Sequence, residues 1–200
     1  MIQYEIINGV GKITLNRPDK YHSFVREMAL QLQGTLDKCN EHKAVRAILI
    51  TATGKAFCAG QDLGEVTDPN GPELTQIVQE HYNPIIRKIR NIEKPIVAAV
   101  NGVAAGAGAS IALACDIVVA TESASFIQAF SKIGLIADSG GTFFLPRLVG
   151  MQKAAALIMT AEPISANDAV DMGMIYKAYS TEDFERKDII EKTEKREKII

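Results

Sequence analysis

The chain has 200 residues, with 22 Lys and Arg against 24 Asp and Glu, which gives a formal net charge of −2. Apolar residues make up 47% of the chain and charged residues 23%, which is typical of a globular protein with one sizeable core and excludes the collagenous and disordered classes. The near-balanced charge predicts no nucleic-acid partner and no membrane-surface partner, because both need a clustered excess of Lys and Arg.

Cysteine and histidine usage bears on metals and on compartment. Three cysteines are scattered as Cys39, Cys58 and Cys115 without a C-x-x-C pair, and with only three histidines no zinc-binding spacing occurs. This pattern predicts reduced thiols and no metal. The first residues lack a basic region followed by an apolar stretch, so we expect a cytoplasmic protein without a signal peptide.

The first predicted elements are a hairpin, a helix and a buried strand. Two β-type segments, residues 4–7 and 10–15, flank Asn8-Gly9, the dipeptide that best tolerates positive φ at both turn positions. Residues 45–50 form a short β-branched apolar run, which is typical of a buried parallel strand. Between them an amphipathic helix is predicted by apolar residues at spacing four, namely Phe24, Met28, Leu32 and Leu36.

Beyond this strand, helices and strands alternate. A helix is predicted through Leu74 and Ile89 with a kink at Pro84. The further predicted strands are residues 95–100, 117–120 and 125–127, and the further helices are residues 106–114, 140–148, 153–159 and 166–172. Such alternation predicts an α/β architecture, with one core domain over residues 1–180. In residues 181–200, 13 of 20 residues are charged, and we expect a solvated helix.

The first segment that could carry chemistry is the glycine-containing loop around Gly60. Gly60 allows a sharp turn and a close approach of a ligand to the backbone, which would leave the amide of Gln61 pointing at a substrate. The structural alternative is a tight turn in which Asp62 caps local amides.

The second segment, residues 100–110, follows a strand and opens a helix, so unpaired N–H groups can face outward and hold an anion. Its glycines at positions 102, 106 and 108 fit neither G-x-G-x-x-G nor a P-loop. The alternative is close packing of a helix against a strand, which tolerates only small side chains.

The third segment, residues 134–142, contains Asp138 between an apolar run and a predicted helix start. In an apolar pocket this carboxylate could act as a general base, because loss of hydration raises its pKa. The alternative is that Asp138 caps the following helix. Elsewhere, Cys58 is expected to be a core or loop thiol, and His22, His42 and His81 are expected to lie at the surface or at helix ends.

In their order and spacing, these three segments resemble the crotonase (enoyl-CoA hydratase/isomerase) superfamily. The resemblance runs from about residue 13 to residue 176 and includes Asn16-Arg17-Pro18, Cys115-Asp116-Ile117 and Gly140-Gly141-Thr142. It implies an α/β fold built as a spiral of ββα units and closed by C-terminal helices, a part that is shortened here. It also implies a homotrimer or hexamer.

The resemblance further implies an acyl-CoA substrate, with coenzyme A as part of the substrate and no separate cofactor. The two backbone amides that hold the thioester oxygen fall on Gln61 and Ala107. The residues expected to contact the substrate are Ala59, Gln61, Asp62, Leu63 and Ala107.

The carboxylates separate the branches of this family. Hydratases of the family use two glutamates, and here those positions hold Ser110 and Phe130, so hydration is not expected. Asp138 instead matches the single acid of the family's isomerases, and its surroundings are similar to the branch that isomerises ring epoxides in phenylacetate breakdown. The sequence therefore predicts an acyl-CoA isomerase with Asp138 as its catalytic base. Two alternatives stay open: an acyl-CoA dehalogenase or hydrolase with Asp138 as nucleophile, and a non-catalytic acyl-CoA-binding subunit.

Overall fold

The computed structural model describes residues 1–185, and these residues form two β-sheets with helices packed around them. The strands of the larger sheet are β1 (Ile2–Ile7), β2 (Val10–Leu15), β3 (Ala47–Ala52), β5 (Ile96–Val100), β7 (Ile117–Thr121) and β10 (Lys177–Tyr179), in that order. β1 and β2 form the predicted antiparallel hairpin, and the other neighbouring pairs in this sheet are parallel.

The smaller sheet carries strands of only two or three residues. Its order is β4 (Ala56–Cys58), β6 (Val103–Ala105), β8 (Ser125–Ile127) and β9 (Ile164–Ser165). The first three strands are parallel and β9 is antiparallel to β8. Of these four strands, only β8 was predicted. The other three were missed, because strands this short leave almost no alternating pattern in the sequence.

The helices are α1 (Arg26–Glu41), α2 (Leu63–Thr67), α3 (Leu74–Gln76), α4 (Asn83–Asn91), α5 (Ala107–Ala114), α6 (Gly141–Val149), α7 (Met151–Thr160), α8 (Ala166–Asp171) and α9 (Thr181–Glu185). Apart from α2, which was not predicted, and α1, which runs five residues beyond Leu36, the helices lie close to their predicted positions. Residues 186–200, most of the predicted charged helix, lie outside the described residues. In the part of the chain that the structure describes, no helix combines the length and the apolar character needed to cross a membrane.

Between α3 and α4 the structure has a wide π-helical segment, Ile77–Tyr82, where the sequence predicts a kink at Pro84. Asn83 N–H donates to the carbonyl of Val78, five residues back. Proline has no N–H, so carbonyls of the preceding turn are left without a helical donor. The side-chain amide of Gln33 supplies one, since its Nε2 lies 2.7 Å from the carbonyl of Glu80 and 3.2 Å from that of His81.

The chain follows the same path three times: a strand in the larger sheet, a strand in the smaller sheet, and then helical structure. The three passes run from β3 and β4 to α2, from β5 and β6 to α5, and from β7 and β8 to α6. This repetition confirms the predicted α/β spiral of ββα units. It also places the start of α5 directly after the central strand pair, and its eight residues are all buried.

Candidate active site

Backbone hydrogen bonds hold the loop after β4 in a conformation that leaves the amide of Gln61 without an acceptor in the described part of the chain. Phe24 N–H donates to the carbonyl of Gly60 at 2.7 Å, and Asp62 N–H donates to the carbonyl of Phe24 at 2.9 Å. Gln61 lies between these two bonds in a parallel bridge to Phe24. In that geometry the N–H and C=O of the middle residue point away from the partner strand. Within residues 1–185 the Gln61 N–H donates to no acceptor.

Gly60 brings this loop against the start of α5. Its φ is +91°, a conformation that residues with a side chain rarely adopt. A Cβ at Gly60 would lie 3.0 Å from the carbonyl oxygen of Ala105 and 3.4 Å from the nitrogen of Ala107. Only a glycine therefore lets the two backbones approach this closely.

Ala107 is the first residue of α5, and its amide is the second free donor. The first N–H groups of a helix have no acceptor within the helix. Ser110 N–H donates to the carbonyl of Gly106, whereas the Ala107 N–H has no acceptor among residues 1–185. Ala107 is 3% exposed, so this amide is largely shielded from solvent. The alternative of close packing also holds, because a Cβ at Gly108 would collide with the carbonyl of Cys58.

Asp138 lies in the loop before α6, half-buried. Burial raises the pKa of its carboxyl, and a hydrogen bond from the Ser139 hydroxyl to Oδ1, 2.8 Å long, lowers it in part. The alternative that Asp138 caps α6 is wrong, because the N-cap residue is Gly140 and no side chain bonds there. Oδ2 of Asp138 accepts no hydrogen bond from residues 1–185.

The loop that contains Asp138 contacts residues near both free amides. A Cβ at Gly141 would lie 2.9 Å from Oγ of Ser110, one turn into α5 from Ala107. On the other side, the pKa of Tyr82 is raised by burial and then by neighbouring charges that include Asp138. The Tyr82 hydroxyl donates to the side chain of Gln61 at 2.8 Å. The three predicted segments therefore border the same region.

Ser110 and Phe130, the two positions that the resemblance assigns to the hydratase glutamates, lie close to the start of α5. Ser110 is fully buried, and its hydroxyl has no hydrogen-bond partner in the described structure. Phe130 is 5% exposed and lies in the 3₁₀ turn Ala129–Ile133. Neither side chain has a carboxyl group, so neither can serve as the acid or the base that a glutamate would supply.

Of the other predicted contact residues, Asp62 has a clear structural role. Its carboxylate accepts a hydrogen bond from Gly64 N–H at the start of α2 and pairs with Arg17 at 2.6 Å. Burial alone would raise the pKa of Asp62, but the hydrogen bonds from Arg17 and Gly64 lower it. The capping alternative is therefore confirmed for its side chain. Ala59 and Leu63 are exposed on either side of Gln61.

Two of the three histidines depart from expectation. His22 and His81 are fully buried, so the prediction of surface positions is wrong for them. His42 is exposed at the end of α1, as expected. Cys58 is a core thiol, and burial raises its pKa to about 12, which leaves no thiolate for catalysis. Residues 1–185 contain no cluster of three or more metal-ligating side chains.

Tyr82 and Glu65 both contact the side chain of Gln61, and neither residue was predicted to belong to the site. Gln61 Nε2 donates to Oε2 of Glu65 at 2.6 Å. The only available signal is the spacing of Gln61 and Glu65, which are four residues apart. Tyr82 is distant in sequence, and nothing in a single sequence pairs it with Gln61.

Comparison with known proteins decides the family. A family model described as enoyl-CoA hydratase/isomerase matches residues 5–199. The chain belongs to that family. As a member of the enoyl-CoA hydratase/isomerase family, it is an enzyme whose relatives use the arrangement of sheets and helices described above.

Individual relatives of this hydratase/isomerase-family chain carry both activities in their names. It is 46% identical over 177 residues to the 1,2-epoxyphenylacetyl-CoA isomerase of Escherichia coli (strain K12), covering 87% of this chain and 68% of that protein. It is 45% identical over 184 residues to a Rhodobacter capsulatus protein named "probable enoyl-CoA hydratase", covering 92% and 70%. The crystal structure of an enoyl-CoA hydratase from Bacillus anthracis matches with a TM-score of 0.88 at 34% identity, covering 97% and 75%. Overall identity therefore confirms the fold and family, and the reaction has to be argued from the site.

Proposed function

We propose that this enzyme isomerises an acyl-CoA, by moving a double bond in an enoyl-CoA or by rearranging a ring epoxide. The thioester oxygen is held by the amides of Gln61 and Ala107, and Asp138 carries the proton. The observation that carries the proposal is Asp138 itself: a half-buried carboxylate with one unengaged oxygen, in a loop that packs against α5, the helix that begins with the unpaired Ala107 amide.

The two amides make the carbon beside the thioester acidic. Fixed donors that face a developing enolate oxygen stabilise it without reorganisation, and removing one such donor typically raises the barrier by about 3 kcal/mol. The shielding of Ala107 strengthens this effect, because electrostatic interactions weaken less where water is excluded.

A single base is sufficient for isomerisation. Asp138 takes a proton from the carbon beside the thioester and returns it to another carbon, so the reaction has no net proton change. A raised pKa makes the Asp138 carboxylate a stronger base. Glu65 is the other nearby carboxylate, but its two oxygens accept from Gln61 Nε2 and from Arg26 N–H.

Hydration is disfavoured by Ser110 and Phe130. Adding water across a double bond requires groups that activate the water and supply a proton, and these two buried side chains can do neither. The rest of the substrate is assigned to the exposed surface beside Gln61, formed by Ala59 and Leu63, with the backbone rather than the side chain of Asp62 available to it. A homotrimer or hexamer remains part of this proposal.

The test is Asp138→Asn, assayed with a 3-enoyl-CoA by the growth of conjugated-enoyl absorbance. Because the amide cannot accept the proton, we expect turnover to fall at least a thousandfold, within the range of general-base effects, while the Kd for the CoA ester changes little. Asp171→Asn is the matched control, since Asp171 is an exposed carboxylate at the end of α8.

Four outcomes would contradict the proposal. Turnover retained by Asp138→Asn would contradict the assignment of Asp138 as the catalytic base. Formation of 3-hydroxyacyl-CoA by the wild type would indicate a hydratase. Tight CoA-ester binding without any conversion would indicate a binding subunit, and release of halide or free acid from a suitable ester would indicate Asp138 as a nucleophile.

A further inference from the structure

The side chain of Gln61 is held at both ends of its amide. The Tyr82 hydroxyl donates to Oε1 at 2.8 Å, and Nε2 donates to the Glu65 carboxylate at 2.6 Å. A carboxylate can only accept, so Glu65 fixes the NH₂ end of the amide and leaves the carbonyl for Tyr82. Burial raises the pKa of Tyr82 well above its usual value, so its hydroxyl keeps the proton that it donates.

Glu65 and Tyr82, the two residues that hold the side chain of Gln61, are themselves held in place by further contacts. Oε1 of Glu65 accepts the N–H of Arg26, the first residue of α1, at 2.9 Å. Tyr82 is 1% exposed at the end of the π-helical segment, and its ring packs edge-on against Phe24 with 5.9 Å between ring centres. Phe24 is also the residue whose backbone bridges Gln61. The side chain and the backbone of Gln61 are therefore fastened to the same group.

We propose that Tyr82 and Glu65 are positioning residues, which hold the Gln61 N–H in line with the thioester oxygen. The inference rests on the proposed function of that amide. The backbone bridge sets the side of the loop that the N–H faces, and the two side-chain hydrogen bonds limit rotation of the peptide about that bridge. Neither residue touches a reacting atom in this scheme. π-Helical segments frequently occur at functional sites, and here the π-helical segment ends at Tyr82, which contacts Gln61.

The test is Tyr82→Phe, which removes the hydroxyl and keeps the ring that packs on Phe24. From the net worth of one hydrogen bond, we expect kcat to fall about three- to tenfold with KM little changed, because the Gln61 amide acts mainly on the enolate. Tyr4→Phe is the matched control: Tyr4 lies on β1, its hydroxyl is buried, and it is remote from the three segments. It should leave kcat unchanged.

A binding measurement isolates the oxyanion contact. A saturated acyl-CoA and its thioether analogue, which lacks the carbonyl oxygen, differ only in the atom that the two amides hold. The wild type should bind the thioester more tightly, and Tyr82→Phe should reduce that preference by a smaller factor than it lowers kcat, because the neutral carbonyl oxygen accepts a weaker hydrogen bond than the enolate oxygen does. A purely structural role for Tyr82 would weaken both compounds equally.

A second variant keeps the proposal testable if Tyr82→Phe folds poorly. Gln61→Leu preserves the backbone amide and removes both side-chain hydrogen bonds. It should lose at least as much kcat and thioester preference as Tyr82→Phe, and the double variant should lose little more than Gln61→Leu alone, because the hydrogen bond from Tyr82 is already absent in Gln61→Leu.

The outcomes separate the two proposals. If the wild type prefers the thioester and Tyr82→Phe keeps both the preference and kcat, the positioning role is wrong and the proposed function stands. A wild type with no thioester preference would overturn the proposed function itself. A shifted pH–rate midpoint in Tyr82→Phe would mean that Tyr82 acts through Asp138, which also contradicts positioning of Gln61.

Discussion

At the scale of single residues, the proposed site depends on contacts between segments that are distant in the sequence, since the Tyr82 hydroxyl holds the side chain of Gln61. At Asp138, a neighbouring hydroxyl engages only one of the two carboxylate oxygens. Gln61 and Ala107 follow glycines and Asp138 follows an apolar run, and these local patterns make the three residues candidates. Their environment could not be found, since the free Oδ2 of Asp138 and the tether from Tyr82 to Gln61 depend on contacts between distant segments. The same holds for His22, whose burial is set by loops around it rather than by its neighbours in sequence.

His22 is held as a neutral ring, and this has a consequence for stability. Nδ1 accepts the N–H of Arg17 at 2.8 Å, so the proton is on Nε2, which donates to the carbonyl of Thr53 at 2.7 Å. Burial lowers the pKa of His22. Protonation would remove the acceptor for Arg17 N–H, and the folded state therefore resists it while the unfolded chain does not.

The sign of the pH dependence follows from this difference in proton binding. As pH falls below about 6.5, His22 becomes protonated in the unfolded chain but stays neutral in the folded protein. The free energy of unfolding therefore falls by up to about 1.4 kcal/mol per pH unit. The loss continues until the lowered pKa of the folded state is reached. Urea unfolding between pH 7 and pH 5 should give a shallower pH slope for His22→Gln than for the wild type. The exposed His42→Gln is the control, and an unchanged slope in His22→Gln would refute this account.

At the scale of elements, periodicity was informative where an element is long. The hairpin, the start of α1 and β8 were predicted within about two residues, whereas β4, β6, β9 and β10 are too short to show a pattern. The π-helical segment was also missed, because Pro84 indicates an interruption without stating its form. These short elements matter for the site, since β4 and β6 carry the loops that present Gln61 and Ala107.

The contact between α5 and β4 gives a prediction at this scale. A Cβ at Gly108 would collide with the Cys58 carbonyl and lie 2.7 Å from its Sγ, whereas a Cβ at Gly34, inside α1, meets nothing within 4 Å. Gly108→Ala should lower the free energy of unfolding by about 1–3 kcal/mol through overpacking. Gly34→Ala should raise it by about 0.5–1 kcal/mol, because alanine favours a helix.

Urea denaturation at neutral pH measures both variants. Gly108→Ala should also lower isomerase activity, since it displaces the start of α5 and with it the Ala107 amide. Equal effects of the two alanines on stability would show that close packing of α5 on β4 is not what requires a glycine.

At the scale of the whole molecule, three passes of one ββα path bring segments some 80 residues apart to one region. The core supports this arrangement with small side chains where backbones meet, as in α5, and with large apolar ones beneath the larger sheet. The alternation of strands and helices predicted only an α/β architecture, and the spiral was predicted by the resemblance to the crotonase family. The order of the motifs could not predict which reaction the site performs, and relatives named for isomerisation and for hydration are almost equally similar to the chain.

The central claim is that one carboxylate carries a proton between two carbons of a bound enolate. The most direct measurement follows a 3-enoyl-CoA labelled with deuterium at carbon 2, converted by the wild type in water enriched in oxygen-18. If Asp138 transfers the proton, the product is a 2-enoyl-CoA in which part of the deuterium has moved to carbon 4, with no oxygen-18 in the acyl chain. A 3-hydroxyacyl-CoA that carries oxygen-18 would contradict the claim.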